Sequence, residues 1–166
     1  LTPASVMPIG DRDVPTLLVT EGKVARIYKW KNNRFMVRRQ LNPGRKSAQL
    51  TAACKFYRGD AKTPGYLLYD QLGQDLIWFA PGSRSIPRAV HFRDGLKGIT
   101  GLANFRGEKQ NGLLLIGKSE IQWVQDKQQE LALNILGEYS SPEDTPSLWT
   151  LHPVTLGSPG RPMLAL

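Results

Sequence analysis

A chain of 166 residues with 40% hydrophobic and 8% aromatic residues can bury a core of its own, which excludes an intrinsically disordered protein. The net charge of +8 excludes a predominantly acidic surface and favours anionic partners. The single cysteine, Cys54, excludes a framework of intramolecular disulfides, and no apolar run approaches the roughly 18 residues of a membrane-spanning helix.

In chain order, the first feature is a repeat. Segments begin with an aliphatic residue, followed in three cases by threonine, at intervals of 49 residues: Leu1-Thr2, Leu50-Thr51, Ile99-Thr100 and Leu148. After each opening come a short apolar run, a turn with glycine and a second apolar run. Self-similarity at a fixed period is the sequence signature of repeat architectures. The copies therefore span 1–49, 50–98, 99–147 and, in part, 148–166.

Each full copy contains four runs with the length and composition of β-strands. The second run is TLLVT, GYLLYD or GLLLIG, the third is KVARIYKW, DLIWFAP or EIQWVQ, and the fourth is RFMVRRQL, RAVHFRDG or ELALNILGEY. Glycine, proline, asparagine and aspartate separate the runs, and helical periodicity is hardly visible. Each copy therefore predicts a four-stranded antiparallel sheet.

Such sheets must stack on one another, because 49 residues cannot bury both faces of a sheet alone. A radial array of four-stranded sheets, the β-propeller, fits this requirement. We therefore predict an all-β chain that forms three propeller blades and the start of a fourth. Since a closed propeller generally needs four or more blades, we expect the chain to be a segment of a larger propeller, completed by further repeats or by another chain.

The order of an apolar strand, a Gly-Asp turn, a Leu-rich strand and a Trp- or Tyr-bearing strand resembles the FG-GAP and VCBS repeats of integrin-α-like propellers. The resemblance covers the whole chain and implies an extracytoplasmic location. It also implies a calcium loop after the first strand, with oxygen ligands at alternating positions. Of the two acidic positions of such a loop, the later one carries a carboxylate in all three copies: Asp11, Asp60 and Glu108. The earlier one carries none, because it is occupied by Met7, Phe56 and Asn104. With too few carboxylates left, we expect no bound calcium and no other cofactor.

The basic excess is confined to one stretch. Between Gly22 and Gly59 there are eleven basic residues and no acidic one, against eleven basic and fourteen acidic residues elsewhere. A localised positive field attracts nucleic acid, acidic glycans or lipid headgroups, and rings beside cations offer a stacking platform. The alternative is a solvated strand surface whose charges prevent aggregation, with the tryptophan packed between blades. The candidate binding residues are Arg26, Lys29, Trp30, Lys31, Arg34, Arg38 and Arg39.

Signals for catalysis are weak. The stretch Gly112–Ser119 fits the phosphate-binding loop pattern, but the residues between its glycines are Leu, Leu, Leu and Ile, which are typical of a strand. His91 and His152 are far apart and lack metal-ligand spacing, and Cys54 falls in an apolar strand. We therefore predict no catalytic residue and no metal site.

The sequence thus predicts a non-catalytic propeller module that binds a protein or carbohydrate partner outside the cytoplasm. One alternative is a module that binds a polyanion, either nucleic acid or acidic glycan, through the basic first blade. A second alternative is the propeller portion of a larger enzyme. In all three cases the rest of the propeller, or another chain, is a further expected partner.

Overall fold

The computed structural model describes residues 5–10, 14–58, 61–82, 86–90, 98–106, 111–117, 120–127, 132–140, 152–154 and 163–165. These residues form fourteen β-strands and no helix, which confirms the predicted all-β class. In this described part of the chain, no helix is long and apolar enough to cross a membrane.

The first sheet is an antiparallel meander in which the strands follow one another in chain order. Its strands are β1 (Ser5–Pro8), β2 (Thr16–Thr20), β3 (Ala25–Lys31) and β4 (Arg34–Leu41). A two-residue turn joins β3 to β4, and both of its residues, Asn32 and Asn33, have positive φ angles of 52° and 57°. Asparagine tolerates this conformation, which a tight hairpin turn requires, so the turn chemistry agrees with the sheet.

The second and third sheets repeat this meander. The second sheet consists of β5 (Leu50–Phe56), β6 (Gly65–Asp70), β7 (Asp75–Phe79) and β8 (Arg88–Val90). The third consists of β9 (Gly101–Arg106), β10 (Asn111–Ile116), β11 (Glu120–Lys127) and β12 (Ala132–Ser140). A hairpin of β13 (His152–Val154) and β14 (Met163–Ala165) follows.

The core lies between the sheets. One cluster joins the first sheet, through residues such as Leu18 and Ile27, to Leu68 and Ile77 of the second sheet. Another cluster joins the second sheet, through residues such as Leu67, to the third. Successive residues of a strand face opposite sides, so both faces of the second sheet are buried. This double burial explains why the stretches Tyr66–Tyr69 of β6 and Leu76–Phe79 of β7 are continuously apolar or aromatic instead of alternating with polar residues.

The first strands of successive sheets lie next to one another, since β5 contacts both β1 and β9. Lys55 Nζ donates a hydrogen bond of 3.1 Å to the carbonyl oxygen of Ile9, and the backbone N–H of Tyr57 donates one of 3.3 Å to Asn104 Oδ1. Lys55 and Asn104 are 49 residues apart, so one repeat position reaches back to the preceding sheet in both copies. No sheet closes on itself among the described strands, and the propeller arrangement stays a prediction.

Two glycines leave room for tryptophan rings. A Cβ added to Gly65 would overlap the Trp78 ring, with Cζ2 only 2.7 Å away, and one added to Gly112 would lie 3.1 Å from Trp123 Cδ1. Both glycines lie in the second strand of their sheet and both tryptophans in the third. The same close approach therefore recurs in the second and third sheets.

An ion-pair cluster fixes the connection between the first two sheets to the turn after β6. Arg45 lies 2.5 Å from an oxygen of Asp75 and 3.6 Å from one of Asp70. Asp70 Oδ1 also accepts the backbone N–H groups of Gln49 and Leu72, at 2.9 and 3.2 Å. Both carboxylates are buried, and buried charges persist where they are paired and hydrogen-bonded.

Candidate binding site

The first sheet has two chemically different faces, and the alternation of β3 decides which residue lies on which. We call the side that shares the core with the second sheet the packed face, and the opposite side the open face. Ala25 and Ile27 are buried on the packed face. Residues of the same parity share that face. The packed face therefore also carries Lys29 and Lys31, and the open face carries Arg26, Tyr28 and Trp30.

Strand β4 is sorted in the same way, because directly paired residues of neighbouring strands share a face. The partners of the packed-face residues Ile27, Lys29 and Lys31 are, in turn, Arg39, Met36 and Arg34. The partners of the open-face residues Tyr28 and Trp30 are Val37 and Phe35. The pairing shifts between Ile27 and Tyr28, which leaves Arg38 as the extra residue of a β-bulge.

The packed face ends in a basic cluster, which we define as Lys29, Lys31 and Arg34. All three side chains are exposed, and within the described residues no carboxylate lies at ion-pair distance from any of them. Lys31 pairs directly with Arg34, an arrangement of like charges that destabilises a sheet. A bound anion would relieve this repulsion, so the cluster can bind an anionic group.

The open face carries an aromatic patch, which we define as Tyr28, Trp30, Phe35 and Val37. Trp30 and Phe35 are each 41% exposed, and their rings meet edge to face with centroids 4.9 Å apart. Val37 is 55% exposed. Contiguous exposed apolar side chains of this kind mark interaction sites more often than isolated ones do.

A polar network borders the aromatic patch. The Tyr28 hydroxyl donates a hydrogen bond of 2.5 Å to Glu21 Oε1, and Arg26 forms an ion pair with the same carboxylate. Arg26 Nε also donates to Gln40 Oε1 at 3.1 Å. The bond to Glu21, and secondly burial, raise the pKa of Tyr28. Arg26 is therefore neutralised by Glu21 and does not belong to the basic cluster.

The seven predicted binding residues thus form two surfaces and not one. Arg39 shares the packed face with the basic cluster but is half-buried, Arg38 is exposed at the bulge, and Trp30 and Arg26 lie on the open face. The prediction did not include Glu21, Phe35 or Val37. A signal for Phe35 and Val37 was available in the fourth run of the first copy, where three consecutive apolar residues, 35–37, stand between Arg34 and Arg38.

The remaining chemical motifs do not form a second site in the described residues. Gly112–Ile116 of the phosphate-loop match lie in β10 and are buried, so they form a strand and not a phosphate-binding loop. Cys54 is fully buried, and burial raises the pKa of its thiol, which keeps it protonated. No group of three or more potential metal ligands occurs in this part of the chain. Four acids and histidines named above lie outside the described residues: Asp11, Asp60, Glu108 and His91.

No protein-family model matches the chain, and no curated protein sequence matches it either. The likeness to FG-GAP and VCBS repeats therefore stays a prediction from sequence motifs. The geometry of the first sheet is the basis for a functional proposal.

Proposed function

We propose that the chain is part of a non-catalytic β-propeller whose first sheet binds a macromolecular partner, protein or carbohydrate, through the aromatic patch. The observation that carries the proposal is the exposure of Trp30, Phe35 and Val37 together on the open face. Tryptophan and tyrosine combine a large apolar surface with a polar tip, and with arginine they dominate binding hot spots. Tyr28 and Arg26 supply the polar groups at the border of this patch.

The equivalent face of the second sheet provides a comparison. On the open face of the first sheet, Val19 pairs with Arg26. The equivalent pair of the second sheet is Leu68 with Ile77, and both of these residues are buried in the core. The first sheet has a charged residue and an exposed aromatic patch where the second sheet has an apolar contact. This difference supports a partner other than the neighbouring blade of the same sheet design.

Three features support the propeller arrangement. The sheets follow one another in chain order, their faces share apolar clusters, and their first strands lie side by side. Face-to-face packing of successive four-stranded sheets is the relation between propeller blades. The proposed ring is completed by further strands or by another chain, and its likeness to FG-GAP and VCBS repeats favours an extracytoplasmic location.

Paired substitutions test the proposal. Trp30→Asp with Phe35→Asp places two charges in the aromatic patch and should remove partners captured by the unaltered chain, with affinity lower by about 30-fold or more. Leu72→Asp with Ile86→Asp places aspartate at two exposed apolar residues in the connections of the second sheet and should keep those partners. Quantitative mass spectrometry of captured material, after circular dichroism confirms both folds, gives the readout. Equal capture by the two variants would overturn the proposal.

A second candidate function, polyanion binding, is favoured by the basic cluster. Retention on heparin should fall steeply as the salt concentration rises, because lysine and arginine side chains that bind a polyanion release the counterions condensed on it. Lys29→Glu, Lys31→Glu and Arg34→Glu together should weaken retention strongly and lower the salt slope of the remaining binding, because three contacts with the polyanion are lost. A control variant changes the same number of exposed lysines elsewhere to glutamate: Lys23, Lys46 and Lys62. If the control loses retention equally, net charge and not the basic cluster is responsible.

A further inference from the structure

The outermost strand of the first sheet has an edge on which a further strand fits. β4 is eight residues long and, among the described strands, pairs only with β3. Every residue from Arg34 to Arg38 is exposed. Of the corresponding strand of the second sheet, β8, the described part of the chain contains three residues, Arg88–Val90. An exposed edge of this length presents backbone N–H and C=O groups to which an extended peptide can hydrogen-bond.

The side chains beside this edge are sorted by charge. On the packed face the edge shows Arg34, Met36 and Arg39, with Lys29 and Lys31 one strand behind. On the open face it shows Phe35 and Val37, with Tyr28 and Trp30 behind. An added strand would alternate its own side chains between the same two environments. One row of its residues would meet cations, and the other would meet apolar and aromatic groups.

We propose that β4 accepts an extended segment of a partner protein as a fifth strand, in which acidic residues alternate with apolar ones. This inference rests on the proposed function, in that it names the partner that the first sheet binds. The acidic row would neutralise the basic cluster, including the unfavourable pair of Lys31 and Arg34. The apolar row would cover Phe35 and Val37, which are 41% and 55% exposed.

Two other occupants fit less well. A second copy of β4 would bring the arginines Arg34, Arg38 and Arg39 close to the arginines of the first copy, and like charges of this kind are a common protection against edge-to-edge pairing. A nucleic acid or an acidic glycan carries one sign of charge along its length and offers no row of apolar side chains for Phe35 and Val37. Only a strand of alternating character satisfies both faces and the backbone edge.

Synthetic peptides test the proposal on the full chain. The probe is a fluorescein-labelled peptide of eight residues, the length of β4, in which glutamate alternates with valine. Fluorescence anisotropy should show binding that is at least tenfold tighter than that of a peptide with the same composition in two blocks. Two further peptides carry N-methyl groups on alternate backbone nitrogens, one on the odd-numbered and one on the even-numbered residues. Only one of these sets of N–H groups can face β4, so one methylated peptide should lose binding and the other should keep it. Equal binding of the block peptide or of both methylated peptides would overturn strand addition.

Reversal of charge gives the reciprocal test. The triple variant Lys29→Glu, Lys31→Glu and Arg34→Glu should lose the glutamate-valine peptide at least tenfold and should bind a lysine-valine peptide instead. The matched control, with Lys23, Lys46 and Lys62 changed to glutamate, should keep the original preference. A gain of binding cannot arise from unfolding, so the exchange remains interpretable if the variant is less stable. An unchanged preference in the triple variant would contradict the proposal.

The two proposals fail separately. If no peptide binds while the Trp30 and Phe35 variant still loses its captured partners, strand addition is wrong and binding through the aromatic patch stands. If the glutamate-valine peptide binds as expected but captured partners do not depend on Trp30 and Phe35, strand addition stands and binding through the aromatic patch is wrong.

Discussion

Replacement of Gly65 by alanine should destabilise the protein because the glycine lies against a buried tryptophan. The added Cβ would lie 2.7 Å from Trp78 Cζ2 and would also overlap the carbonyl oxygen of Phe79. Trp78 is only 4% exposed and contacts Phe56 edge to face, with centroids 5.9 Å apart. The ring therefore cannot move without loss of that contact.

The expected magnitude combines three effects. Overpacking of a buried site costs about 1–3 kcal/mol. Displacement of Trp78 from Phe56 removes about 0.5–1.5 kcal/mol of ring interaction. Alanine in a strand recovers roughly 0.5–1 kcal/mol, because the unfolded chain loses less entropy on folding than it does with glycine. We therefore expect a net decrease of about 2 kcal/mol in the free energy of unfolding.

Urea unfolding followed by circular dichroism measures this change. Gly101→Ala is the matched control in another strand, since its Cβ would lie 3.2 Å from the terminal methyl of Ile116, which can move. The control should change the free energy of unfolding by less than about 1 kcal/mol. If Gly65→Ala were as stable as the unaltered chain, the Trp78 ring could not lie across Gly65 and the packing described for the second sheet would be wrong.

Further predictions concern three other sites. Arg45→Met should lower the free energy of unfolding by about 2–3 kcal/mol, because it leaves the buried carboxylates of Asp70 and Asp75 without their cation. Addition of Asp75→Asn should restore part of this loss, and purely additive effects would contradict a shared cluster. Cys54 should react with a thiol reagent only as fast as the second sheet opens, so that its rate rises with urea; rapid reaction of the native protein would contradict its burial. Because the pKa of Tyr28 is raised above 10.0, the folded state keeps a proton that the unfolded state loses, and stability should fall as pH rises above about 10. Tyr28→Phe should make this alkaline decline shallower, as measured by urea unfolding at several pH values.

The recurring strands could be predicted from the sequence because turn chemistry and apolar runs agreed. The second run of each full copy is a strand in the structure: Thr16–Thr20, Gly65–Asp70 and Asn111–Ile116. The turn after β3 could be predicted in the same way, because two asparagines, Asn32 and Asn33, separate the third and fourth runs of the first copy. The first run of the first copy contains β1, Ser5–Pro8, and residues 1–4 lie outside the described part.

The binding site was less predictable, because its faces depend on strand pairing. A shift of one residue moves a side chain to the other side of a sheet. The bulge at Arg38 makes such a shift in β4, and no sequence pattern marked it. In the sequence, Trp30 and Trp78 look equivalent, because each follows an isoleucine in the third run of its copy, KVARIYKW and DLIWFAP. Strand pairing shows that the equivalent of Trp78 is Ile27, because Trp78 pairs with Leu67 as Ile27 pairs with Leu18. Trp30 lies three residues further along β3, on the open face.

Solvent contact at Trp30 tests most directly whether the aromatic patch is open to a partner. The four tryptophans can be labelled with fluorotryptophan, and each fluorine signal can be assigned by a single Trp→Phe variant. The shift of a signal between light and heavy water reports contact of the ring with solvent. Trp30, 41% exposed, should show a large shift, and Trp78, 4% exposed, should show almost none. A shift at Trp30 as small as that at Trp78 would mean that the patch is covered, and would contradict partner binding through the first sheet.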